Sequence, residues 1–102
     1  YDREMVFIAL APDGSMAGEV RAMCDPDNER AEFAIQVAGA WQGKGLGRAL
    51  LHKMLAHLQA RGTKEVVGTC LLENHAMAAV ARAAGMQVRV EAGALALHLP
   101  LA

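Results

Sequence analysis

The chain has 102 residues, 54% of them hydrophobic but only four aromatic, and a formal net charge of −1. That length suits one domain with a small core of Ala, Leu, Val and Met. The near-neutral charge excludes a strong global pull toward nucleic acid or acidic membranes, and no apolar run reaches the ~20 residues of a membrane span.

In chain order, Met5 to Leu10 is rich in strand formers, Pro12-Asp13-Gly14 is turn chemistry, and Ala17 to Met23 is a second strand. Together they predict a β-hairpin. "CDPDNER" is the next turn, where Asp and Asn favour local side-chain bonds. "AEFAIQVAG" then alternates: Glu32, Ala34 and Gln36 point one way, Phe33, Ile35 and Val37 the other. After "WQGKGLG", Leu46, Leu50, Met54 and Leu58 recur every four residues, with Leu51 and Leu55 beside them. That is an amphipathic helix, with Arg48, His52 and Gln59 on its polar side and Gly62 as its stop. "KEVVGTCLL" predicts a strand, and "ENHAMAAVARAAGM" a short helix ended by Gly85. "QVRV" and "ALALHLPL" flank "EAGA" as a closing hairpin. The order β-β-β-α-β-α-β-β predicts an α+β fold, a mostly antiparallel sheet with helices packed on it. The strands at Phe33 and Val67, joined by the long helix through a right-handed crossover, are expected to run parallel.

The glycine stretch carries the strongest functional signal. Gly43, Gly45 and Gly47 stand at alternate positions at the start of the long helix, with Lys44 and Arg48 among them. A helix N-terminus exposes unpaired N–H groups and partial positive charge. Glycines clear the approach to those groups and permit positive φ. From Phe33 to Lys64 there is no Asp or Glu, whereas Lys44, Arg48, Lys53, Arg61 and Lys64 are basic. An anionic ligand is expected there; the bland alternative is a plain glycine-rich turn. GxxxxGK[ST] is absent, and so is GxGxxG, because Arg48 and Leu50 stand where a third glycine would be needed. The spacing present is Gln42-x-x-Gly45-x-Gly47.

A strand followed by Q/R-x-x-G-x-G/A at the head of a helix resembles the acetyl-CoA diphosphate loop of the GCN5-related N-acetyltransferase (GNAT) superfamily. "ENHAMAAVARAAGM" is similar to that superfamily's N-x-x-A-x-x-x-Y-x-x-x-G-F segment, with Asn74 and Gly85 in register. "YDREM", "DPDNERAEFAIQV", "QGKGLGRALL" and "LLENHAM" further resemble the acetyltransferase domain of bacterial protein lysine acetyltransferases, which act on acyl-CoA synthetases. The resemblance implies a GNAT-like sheet lacking the superfamily's usual N-terminal strand and two helices. Residues 1–102 would then be one partial acetyltransferase domain from a longer protein, consistent with a start at Tyr1 and no signal-peptide pattern.

The resemblance also implies a site. Pantetheine of acetyl-CoA would lie along Ile35, Gln36 and Val37, and its diphosphate at Gln42, Gly43, Lys44, Gly45, Leu46 and Gly47, with Arg48 just inside the helix. Asn74 would meet the pantetheine or thiol region. The acceptor amine must shed a proton, because a lysine ammonium has a pKa of about 10.4. Glu32 is the candidate base: a carboxylate in an otherwise apolar segment, in which burial would raise the pKa. It also matches the base of the resembling enzymes; the alternative is a solvent-facing Glu beside Arg30. Where many superfamily members have a tyrosine as general acid this chain has Ala81, and its one tyrosine is Tyr1.

The implied function is transfer of acetyl from acetyl-CoA to an amine, with a protein such as an acyl-CoA synthetase as acceptor. A small-amine acetyltransferase and a non-catalytic acyl-CoA sensor are the alternatives. No metal is expected, since His52 and His57 miss the i, i+4 spacing of a helical pair. Cys24 and Cys70, 46 positions apart, read as reduced thiols of a cytoplasmic protein. Neither nucleic acid nor membrane is an expected partner.

Overall fold

The computed structural model of the chain describes residues 3–101. Tyr1, and with it the start of "YDREM", lies outside the described residues. The elements are β1 (Glu4–Leu10), β2 (Met16–Cys24), β3 (Arg30–Val37), a 3-10 turn at Gly39–Trp41, α1 (Leu46–Ala60), β4 (Glu65–Cys70), α2 (His75–Ala83), β5 (Gln87–Glu91) and β6 (Ala94–Pro100). The element order is the one the periodicities predict. The six strands form one sheet in the order β1-β2-β3-β4-β6-β5. β3 and β4 are parallel, and every other pairing is antiparallel. The closing hairpin thus places β6, not β5, against β4.

Local chemistry sets the boundaries. Gly14 turns the first hairpin at φ 88°. Asp13 accepts from the Ser15 hydroxyl at 2.6 Å and the Ser15 amide at 2.9 Å, which holds its carboxyl below the usual carboxylate range. Gly62 and Gly85, at φ 81° and 91°, follow the last turns of α1 and α2. Asn74 caps α2 through its side-chain oxygen, which accepts from the Met77 amide at 3.1 Å.

Both helices cover the same face of the sheet. Leu50, Leu51, Met54 and Leu58 of α1 and Ala81 of α2 join Val20, Ala22, Phe33, Val66 and Leu97 in one buried cluster. The opposite face is open: Val6, Ile8 and Met23 are exposed there, beside Glu32 and Gln36. Gly18 governs how closely α1 approaches. A Cβ at that position would fall 3.0 Å from the Gln36 carbonyl oxygen, 3.0 Å from Leu46 Cδ2 and 3.2 Å from Leu50 Cδ1. The first turns of α1 therefore rest directly on the sheet.

Candidate donor site

The loop from β3 to α1 is shaped by its glycines. Gly43 and Gly45 have φ of 77° and 84°, a region L side chains rarely adopt. Gly45 is the N-cap of α1 and offers no capping side chain. The first intrahelical bond runs from the Ala49 N–H to the Gly45 carbonyl. The N–H groups of Leu46, Gly47 and Arg48 therefore lack intrahelical acceptors. No acidic residue occupies the first turn. A Cβ at Gly47 would meet only Val37, at an ordinary 3.7 Å, so packing does not require glycine there. Its lack of a side chain keeps the helix end open instead. The side-chain amide of Gln42 donates to the Val37 carbonyl at 3.1 Å and pins the loop to the end of β3.

A cleft of about 240 Å³ opens in front of this helix end. Ile35 and Val37 of β3 form one wall, and the loop, Leu46, Gly47 and Arg48 form its head. Asn74, Ala76, Met77 and Val80 close the other side. The cleft continues toward a gap in the sheet. β3 and β4 are in register only from Arg30↔Glu65 to Phe33↔Gly68. Beyond that step β3 stays with β2 through Val37↔Gly18, and β4 stays with β6 through Cys70↔Leu95. From Ala34 onward, then, β3 has no strand partner on its β4 side. Its peptide groups there can pair with an extended ligand bearing amides, as strand addition does.

Most of the residues singled out in the sequence meet at this place. Ile35, Val37, Gln42, Gly43, Gly45, Leu46, Gly47, Arg48 and Asn74 all line the cleft. Gln36 does not: alternation turns its exposed side chain to the opposite face, so only its backbone can serve the gap. Lys44 is exposed in the loop and its side chain is not part of the lining. Asn74 is there, but its oxygen is already engaged as the α2 cap. Trp41, Ala76, Met77 and Val80 line the cleft without having been assigned to it. The α2 residues carry no such signal in the sequence, because nothing local shows that α2 comes to stand beside the head of α1.

Glu32 lacks the buried setting expected of it. It is exposed, on the open face of the sheet, in a shallow depression with Glu4, Arg21 and Met23. Its register partner is Val67, one step before the gap begins. It therefore stands beside the gap on the face away from the helices. Arg30, the neighbour offered by the alternative reading, turns instead to Glu65 at 3.3 Å. Ala81 is wholly buried in the core and carries no acidic group.

Both cysteines are free. Cys24 is buried, with its sulfur 4.0 Å from the Thr63 hydroxyl. Burial pushes the Cys70 thiol up, away from the reactive thiolate. Among the described residues no three His, Cys, Asp or Glu side chains group as a metal site would require, and no helix is long and apolar enough to cross a membrane.

Comparison with known proteins agrees with this fold. Residues 1–87 match the family model of the acetyltransferase (GNAT) domain. The GNAT domain of S. lividans PAT superposes with a TM-score of 0.84 at 26% identity, over 96% of this chain and 61% of that one. A phosphinothricin acetyltransferase from Sinorhizobium meliloti, in complex with AcCoA, gives 0.78 at 21% identity, over 93% and 60%. Spermidine N-acetyltransferase from Vibrio cholerae, in complex with CoA and spermine, gives 0.84 at 17% identity, over 98% and 67%. The last two, at such low identity, speak for the fold alone. The chain spans about three-fifths of the length of the first two.

Proposed function

The chain belongs to the GNAT acetyltransferase family, and from that premise we propose that it binds acetyl-CoA at the head of α1 and acetylates an amine. The ε-amine of a protein lysine is the acceptor we favour, on a protein such as an acyl-CoA synthetase. One observation carries the donor reading: an uncapped, glycine-fronted helix end shares a cleft with a strand that lacks a partner on one side. The first suits a diphosphate. The second suits the amides of pantetheine. A nucleotide alone would leave the strand unused.

Bound acetyl-CoA supplies an activated thioester. The chain's own residues do the rest. The N–H groups of Leu46, Gly47 and Arg48, with the Arg48 guanidinium, hold negative charge at the head of the cleft. The unpaired backbone of β3 aligns the arm, and an N–H from the same edge can polarise the thioester carbonyl. Glu32, beside the gap, accepts the proton of an amine arriving on the open face. The amine nitrogen bonds to the carbonyl carbon, the C–S bond breaks, and the proton the nitrogen sheds passes through water to the departing thiolate. Products are an amide and free CoA. Holding both reactants at one gap adds the proximity term.

A small-molecule amine is the second reading; enzymes named for spermidine and phosphinothricin share the fold that it needs. The two free thiols fit a reducing, cytoplasmic setting. Titration calorimetry with acetyl-CoA tests the donor site, and absence of binding overturns it. Incubation with acetyl-CoA and an acyl-CoA synthetase, read by mass spectrometry, tests the acceptor. Acetyl-lysine supports the protein reading; none, together with turnover of polyamines, favours the second. A chain that binds acetyl-CoA and transfers to neither is a sensor.

A further inference from the structure

We propose that Phe33 fixes the length of acyl group the cleft accepts, closing its inner end to chains longer than acetyl. The inference rests on the donor reading above and deepens it. Phe33↔Gly68 is the last registered step between β3 and β4, so the gap has its apex there. Alternation puts the Phe33 side chain on the same face as Ile35 and Val37, which wall the cleft. It stands one same-face step inward of Ile35, about 7 Å along the strand.

The ring reaches across the apex to β4. A Cβ at Gly68 would lie 2.5 Å from Phe33 Cε1 and 2.9 Å from both Cδ1 and Cζ. Only glycine leaves room for it, so Gly68 is the seat of the ring. The ring is also held in place. It is 9% exposed, and its same-face strand neighbour Ala31 and the register partner of that residue, Val66, are fully buried in the same cluster. It cannot swing aside without opening a packed core.

A donor held by its diphosphate at the head of α1 and laid along β3 extends toward this apex. Its acyl group is the leading end. A methyl group can stop short of the ring, whereas added methylenes run into a wall that does not yield. An extra methylene in a closed apolar pocket is discriminated about 10–200-fold. Nothing polar is needed: the selection is steric.

Calorimetry of the chain with CoA, acetyl-CoA and butyryl-CoA tests this without an acceptor. Wild type should bind butyryl-CoA at least about 10-fold more weakly than acetyl-CoA. Phe33→Leu should shrink that ratio at least about 10-fold and leave the affinity for CoA itself unchanged. Should Phe33→Leu fail to fold, Phe33→Met, flexible enough to yield to a longer chain, is read in the same way. CoA binding with no acetyl–butyryl difference in wild type overturns the proposal alone, as does a folded variant with undiminished discrimination. No binding of CoA to wild type overturns the donor site and the proposal together.

Discussion

Gly45 carries two duties that no other residue type combines. It turns the chain at φ 84° and it leaves the helix end bare. A side chain in that backbone region costs roughly 1–2 kcal/mol. Gly45→Glu adds a negative charge where an anion should sit. We expect it to abolish acetyl-CoA binding by calorimetry while the far-UV dichroism stays helical; undiminished binding would remove the loop from the site. Glu32 poses the opposite problem, because its chemistry is plain and its place is not. As the base we propose on the open face, it should matter to turnover alone. Glu32→Gln is expected to lower kcat by about 10²–10⁴ with an unchanged Kd for acetyl-CoA. Full activity would rule it out. Gln42 matched the family's loop residue, but its side chain acts on the fold: the bond to the Val37 carbonyl anchors the loop.

Among the elements, α1 matters most, and its position depends on β2. Gly18 lets Leu46 and Leu50 lie against the sheet. Gly18→Val would overpack this contact at a cost of about 1–3 kcal/mol. It should also lift the head of α1 and weaken acetyl-CoA binding, so both the melting temperature and the Kd should move. If only stability falls, Gly18 does not position the site. The other end of α1 is fastened by the turn after β2. Asn28, at φ 56°, donates from Nδ2 to the Arg61 carbonyl at 2.8 Å and accepts from the Thr63 hydroxyl at 2.7 Å. Thr63 is 2% exposed, so its hydroxyl depends on that partner. Asn28→Gly keeps the backbone conformation and removes both bonds. It should cost about 1–3 kcal/mol in urea unfolding with an unchanged m-value, and an unaltered midpoint would show the staple to be idle.

On the scale of the whole molecule, charge and surface divide the sheet into two working faces. Net charge is only −1, so attraction of an anionic donor must be local. Arg48 is exposed at the head of the cleft, and exposed charges are screened beyond about 10 Å at 0.1 M salt. The Kd for CoA should therefore rise with ionic strength, and Arg48→Gln should weaken binding and flatten that dependence. An equal salt slope in the variant would place the anion elsewhere. The helix face holds the candidate donor cleft. The open face holds Glu32 and exposed apolar side chains such as Val6 and Ile8. The gap between β3 and β4 joins them.

What the sequence determined by itself was local. Strand-former runs, turn residues, the alternation around Phe33 and the near-four period of α1 marked the strands and helices, because each of these signals acts over a few residues. The glycine loop and the absence of acids around it pointed to the proposed anion site for the same reason: all its parts are contiguous. The tertiary structure decided what depends on distant partners. Register set the apex of the gap at Phe33↔Gly68 and turned Glu32 out to the open face. The "CDPDNER" turn looked self-contained, yet Asn28 bonds a carbonyl 33 residues away. Gly68 looked like one more strand glycine until the Phe33 ring was found lying on it. A side chain's face can be read from alternation, but what stands opposite that face is fixed only when strands far apart in sequence pair.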